Sequence, residues 1–146
     1  MKYEWSLASM KRKVKVGVNV GGGPPPKYKW NVEYLKDARK ETMGFLDESQ
    51  YHHVVDQIKE LARHTDPTHS SVLDIDAIED FFELRDKGGR LGKINVRIYY
   101  FVNKDTNTIV VLGGMKKETE NQTREFDKIR IRRRKRQYLN NEFNTG

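Results

Sequence analysis

Near residue 80 the period of the hydrophobic residues changes from helical to two. Between Leu35 and Ala62 the apolar residues recur at helical spacing, and from Phe81 onward they recur at every second position. Two consecutive amphipathic helices followed by a run of alternating strands cannot form βαβ units. They have to pack as a helical layer on one face of a sheet, which is the α+β class.

The elements read as follows. Trp30, Val32 and Tyr34 alternate with Asn31 and Glu33 and predict a strand. Leu35, Ala38, Thr42, Phe45 and Leu46 form one helical stripe, and Gly44 weakens that helix near its end. Tyr51, Val54, Val55, Ile58, Leu61 and Ala62 form a second, cleaner stripe, with Asp47 or Ser49 as its cap and Asp66-Pro67 as its stop. Residues 36–64 are therefore expected to be a helical hairpin with an acidic outer face. Phe82 and Leu84 share one face of a strand, and Phe81, Glu83 and Arg85 share the other; Lys87-Gly88-Gly89 is a turn. Ile94, Val96, Ile98, Tyr100 and Val102 alternate with Asn95, Arg97, Tyr99 and Phe101. Residues 103–107 read as a polar hairpin loop, and Ile109–Leu112 as a strand ended by Gly113-Gly114. Residues 123–138 read as a helix. The expected order is β-α-α-β-β-β-α, with a small twisted antiparallel sheet packed against the hairpin.

Ahead of this domain, Gly21-Gly22-Gly23-Pro24-Pro25-Pro26 reads as a linker, because three glycines hold no regular element cheaply and three prolines stiffen the chain. The division is then a basic arm and linker over 1–26 and a folded domain over 27–146. The glycines are not a phosphate loop, since no Gly-Lys-Ser/Thr follows.

The formal net charge of +7 is segregated. Residues 36–80 hold five basic and eleven acidic side chains, whereas residues 81–146 hold sixteen basic and eight acidic. Segregation of this kind points to a polyanion such as nucleic acid, unless folding interleaves the segments and evens out the field. With no cysteine, a disulfide scaffold, a Cys-type zinc site and a thiol nucleophile are excluded. No apolar run approaches membrane-spanning length and no signal-peptide core opens the chain, so a cytoplasmic protein is expected.

Three groups of residues are candidates for chemistry. Arg97 sits mid-strand, where it shares a face with Tyr99 and with Arg85 on the neighbouring strand. Such a face offers forked guanidinium groups for phosphates and a ring for base stacking. The alternative is an exposed or ion-paired arginine, with Glu83 as the natural partner. Lys116 and Lys117, after the glycine pair, either neutralise charge developing on a phosphate or form a solvated pair. Arg130, Arg133 and Arg134 belong to a basic run that covers nearly every direction of a helix. Part of it is expected to pack on the acidic hairpin and part to bind RNA or DNA without base specificity. Tyr138 is either a stacking or proton-transfer residue or a packing tyrosine. His52, His53, His64 and His69 lack metal-ligand spacing, so no metal is expected. Asp74, Asp76, Glu79 and Asp80 read as loop carboxylates, either solvated or anchoring the basic helix.

The stretches Phe82-Glu83-Leu84-Arg85, Val96-Arg97-Ile98-Tyr99-Tyr100-Phe101 and Ile109–Lys117, in this order after a strand and a helical hairpin, resemble the RelE/ParE toxin superfamily, most closely its HigB-like, phage-derived branch. The resemblance spans roughly residues 28–140. It implies the RelE-like fold and a metal-independent, ribosome-dependent mRNA endonuclease that inhibits translation, the toxin of a type II toxin–antitoxin system. It implies a cognate antitoxin, a helix-turn-helix protein with an acidic contact segment, and the ribosome and mRNA as further partners, with no cofactor and no membrane. By position Arg97 resembles the central-strand arginine that contacts the scissile phosphate, Arg85 a basic residue beside it, and Lys116 or Lys117 the basic residue after the last strand. Residues 118–123 hold no tyrosine or histidine, which leaves Tyr138 as a distant substitute acid or base. The ParE branch implies the alternative of a non-enzymatic, gyrase-type inhibitor, and the arginine-rich helix that of an inactive nucleic-acid-binding domain.

Overall fold

The computed structural model describes residues 28–117 and 124–140. The expected arm, its linker and the segment 118–123 lie outside the described residues. Asp47 opens the second helix with a reciprocal capping box: its side chain accepts from the Gln50 N–H at 2.8 Å while Gln50 Oε1 accepts from the Asp47 N–H at 3.0 Å. That cap sets α2 (Glu48–Ala62), which follows α1 (Lys36–Phe45) directly. All six residues of the α2 stripe are buried.

The hairpin packs on one face of a five-stranded sheet. Its strands are β1 (Asn31–Tyr34), β2 (Asp74–Ala77), β3 (Phe82–Asp86), β4 (Asn95–Asn103) and β5 (Thr108–Lys117), and their order across the sheet is β1-β5-β4-β3-β2. The α+β class is therefore observed. Three details differ from the reading of the sequence. The carboxylates Asp74 and Asp76 lie on an edge strand rather than a loop, and β1 runs parallel to β5, the one parallel pair beside three antiparallel ones. Asp74-Ile75-Asp76-Ala77 has a single large apolar residue, so its period-two signal is too short to read.

β5 also runs through Gly113-Gly114 rather than ending there. The pair is needed because helices approach both faces of the strand. A Cβ on Gly113 would lie 2.6 Å from Ile131 Cδ1, and one on Gly114 would overlap the Thr42 hydroxyl of α1. Between the pairs Tyr99/Gly113 and Tyr100/Val111 the ladder slips, leaving Leu112 as the extra residue of a bulge. The bulge inverts the facing of the rest of β5, so Gly113, Met115 and Lys117 share the face of Arg97 and Tyr99, while Gly114 and Lys116 share that of Ile98 and Val96.

The last helix, α3 (Glu125–Leu139), lies across the face opposite the hairpin. Ile131 is its one fully buried apolar residue. The rest of its hold is polar. Arg134 donates to both Glu41 carboxylate oxygens, at 2.9 and 2.7 Å, and to the Leu112 carbonyl of the bulge at 2.9 Å. Arg132 pairs with Glu79, Lys135 donates to the Asp80 carbonyl at 2.6 Å, and Tyr138 donates to Glu33 at 2.5 Å. Part of the basic run thus packs on the acidic hairpin, as expected, and of the two readings of the carboxylates the anchoring one holds for Glu79 and Asp80, while Asp76 pairs with Arg85.

Candidate functional site

The face shared by Arg85, Arg97 and Tyr99 is not the open cationic surface that strand alternation predicted. Arg97 is 1% exposed and Tyr99 is 0% exposed. Alternation separates two faces but does not say that only one of them is covered, and here α1–α2 cover one and α3 the other. Arg97 faces away from the helical hairpin, as expected, and into a second buried layer.

Inside that layer Glu83 Oε1 accepts from Arg97 Nη1 at 3.0 Å and from Arg85 Nε at 2.7 Å. Arg85 also donates through Nη2 to Asp76 at 2.7 Å. The register explains the cluster: Arg85 pairs directly with Arg97, and Glu83 pairs with Tyr99, one step along the same face. Two guanidinium groups opposite each other would repel, and the carboxylate between them offsets that repulsion. The ion pair with Glu83, the alternative raised for Arg97, is thus present. Among the described residues the Arg97 Nε has no hydrogen-bond partner although it is buried.

Lys117 joins this cluster and Lys116 does not, because the two project from opposite faces of β5. Burial holds the Lys117 ammonium below the ordinary lysine value, and the neighbouring charge of Arg97 adds to that. Asp127, itself 1% exposed, brings a compensating negative charge from α3, where Arg124 donates to it at 3.1 Å. The layer therefore gathers Arg85, Arg97 and Lys117 beside Glu83, Asp76 and Asp127, with Arg124 as a fourth cation at the Asp127 end. A phosphate entering here would replace carboxylates already in place.

The other candidates are elsewhere. Tyr138 contacts Phe101 edge to face with ring centres 5.8 Å apart. Phe101 is four residues from Arg97 on the same strand, about 13 Å, so Tyr138 is not brought to the cationic cluster. Burial first and then its bond to Glu33 push its hydroxyl well above the ordinary range, which suits packing rather than proton transfer. Tyr99 offers no stacking surface, since it is enclosed edge to face against Phe81. Arg134 is committed to Glu41, and Arg130 lies 3.8 Å from Glu41 and 3.6 Å from Asp127. Arg133 is exposed. His53 pairs with Asp86 at 2.8 Å, tying α2 to β3 on the hairpin side of the sheet. Among the described residues no group of three or more His, Asp or Glu is placed to hold a metal ion, and no helix is long and apolar enough to cross a membrane.

Glu41 was not singled out by the sequence. One of eleven acids in its segment, it has no spacing that marks it. Burial raises its carboxyl, but hydrogen bonds from Arg134 and from the Gly114 N–H outweigh this and hold it below the ordinary carboxylate range.

A family model described as phage derived protein Gp49-like (DUF891) matches residues 41–136, more than half of the chain. The chain belongs to this Gp49-like family. The family is a RelE/HigB-like one, in agreement with the resemblance drawn from the sequence. Comparison with curated proteins finds no match. Among solved structures, the toxin–antitoxin complex RelBE2 from Mycobacterium tuberculosis is similar at 17% identity and a TM-score of 0.45, over 61% of this chain and 99% of that one.

Proposed function

We propose that this Gp49-like protein is the toxin of a type II toxin–antitoxin pair and acts as a ribosome-dependent mRNA endonuclease. The observation that supports this best is the gathering of Arg85, Arg97 and Lys117 from three adjacent strands onto one end of one sheet face, at the positions the family resemblance marks. In the reaction a ribose 2′-OH gives up its proton and its oxygen attacks the adjacent phosphorus. The bond from phosphorus to the 5′ oxygen breaks, the leaving oxygen takes a proton, and a 2′,3′-cyclic phosphate remains. Negative charge builds on the non-bridging oxygens, where Arg97 and Lys117 would stabilise it. Lys117, with its ammonium held below the ordinary value, is the residue of this cluster best suited to carry a proton. Access requires the first turns of α3 to move off the cluster and the RNA phosphate to take the place of Glu83.

The burial of Arg97 and its commitment to Glu83 favour a second reading, in which the cluster is structural and the protein is a non-enzymatic inhibitor of the gyrase-blocking kind. Induced expression in a bacterial host separates the two. Growth arrest with new 5′ ends inside translated messages supports the endonuclease. Arrest with intact messages and an induced DNA-damage response supports the inhibitor. A folded protein that causes no arrest overturns both.

A further inference from the structure

The outward side of α3 is unusual for a helix this basic. Phe126, Ile129, Arg133, Arg136 and Asn140 are all exposed and follow one another at spacings of three, four, three and four, so they form a single stripe. The stripe is apolar at its start: Phe126 is 61% exposed and Ile129 is 51% exposed. It is cationic further on, at Arg133 and Arg136. Arg124 and Arg130 flank the apolar pair, with their guanidinium groups over the Phe126 ring at 5.4 and 6.0 Å from its centre. Among the described residues, the ion pairs and hydrogen bonds given above for α3 run through Arg132, Arg134, Lys135 and Tyr138, not through Phe126, Ile129, Arg133 or Arg136.

We propose that the stripe Phe126–Ile129–Arg133–Arg136 is a docking surface for an acidic amphipathic helix of a partner protein. Charge decides among the possible occupants. A second copy of α3 would bring arginine stripes together, and residues 1–26, with five basic side chains and one acidic, would be repelled in the same way. A nucleic acid would use the arginines but gain nothing from Ile129, and stacking a base on Phe126 would displace the guanidinium groups already over it. A helix with apolar residues at matching spacing and carboxylates around them satisfies both halves of the stripe. The inference rests on the toxin reading only in one respect, that the partner would then be the antitoxin.

The test uses the full chain and three probes: a fluorescent acidic peptide of about four turns with leucines at the stripe spacing, the same composition scrambled, and a short oligouridine. Anisotropy is measured at physiological salt. The striped peptide should bind about tenfold or more tighter than the scrambled one. Phe126→Ser with Ile129→Ser should erase that difference while leaving the melting temperature unchanged, since both side chains are exposed. Arg133→Gln with Arg136→Gln should flatten the salt dependence of peptide binding. Equal binding of the two peptides overturns the proposal, as does tighter, Phe126-dependent binding of oligouridine. Growth arrest by the Phe126/Ile129 double variant is scored separately. If the wild type arrests no growth yet binds the striped peptide, the toxin reading fails and the docking surface stands; arrest without stripe-selective binding is the converse.

Discussion

Replacing Glu83 by Met tests the buried cluster more sharply than replacing either arginine. Glu83 and Arg97 are 0% and 1% exposed, and the Arg97 guanidinium has no other carboxylate partner among the described residues. Removing Glu83 leaves that charge buried and uncompensated, which costs about 3–5 kcal/mol. Arg97→Met is milder. Glu83 stays buried, but Arg85 still donates to it through Nε at 2.7 Å, so the loss is about 1–3 kcal/mol, the range for one charged hydrogen bond. The double variant removes both charges and fills the layer with similar volume. Its cost should fall below the sum of the single costs by about 2 kcal/mol or more. Urea unfolding followed by circular dichroism gives the four free energies. At about 4 °C per kcal/mol, the Glu83 variant should melt about 12–20 °C below wild type. A buried, coupled Glu83–Arg97 pair is contradicted if Glu83→Met costs less than about 1 kcal/mol, if Arg97→Met is the more damaging change, or if the two effects simply add. A toxicity assay of an Arg97 variant therefore needs a folding measurement beside it.

The arginine run divides by partner. Arg134→Ala, which breaks the fork to Glu41 and frees the bulge carbonyl, should cost about 1.5–3 kcal/mol in urea unfolding, whereas Arg133→Ala should stay within about 0.5 kcal/mol and lower the salt slope of nucleic-acid binding by about 0.9 if it contacts a phosphate. Glu41 carries an acid-sensitive part of the same contact. Its folded carboxyl titrates below the ordinary value of 4.5, so its stabilisation is complete above that pH and is lost as pH falls through the folded value. The stability gap between wild type and Glu41→Gln should accordingly be full at neutral pH and close in acid; a gap independent of pH contradicts the assignment. Gly114→Val should drive α1 off β5 and lower stability by about 1–3 kcal/mol or more, and an unchanged urea midpoint would show that the helix is not seated there.

The helical hairpin was legible because six apolar residues of α2 fall on one stripe and two cap residues, Asp47 and Ser49, stand at its start, of which Asp47 is the one used. β3 and β4 were legible from alternation. The side on which Arg97 would be found was also legible, but its exposure was not. Alternation reports which side chains share a face, and a polar residue such as Arg97 among them suggested water. The cover over that face is a helix whose inward residues are Ile131, Arg134 and Tyr138, with no apolar stripe to announce it. The bulge at Leu112 left no mark in a β-branched run, yet it decides that Lys117 rather than Lys116 lies beside Arg97. The glycine pair read as a strand end because glycine often stops a strand; here it is the clearance for two helices.

The cationic end of the sheet is proposed to cut mRNA on the ribosome. The most direct test is a reconstituted translation reaction with purified protein and a ribosome-bound message, followed by mapping of 5′ ends. Cleavage is expected within the translated frame, leaving 2′,3′-cyclic phosphate and 5′-hydroxyl ends, and should be lost in a Lys117→Met variant that remains folded. An intact message under the same conditions, or cleavage that the Lys117 variant performs at the wild-type rate, would contradict it.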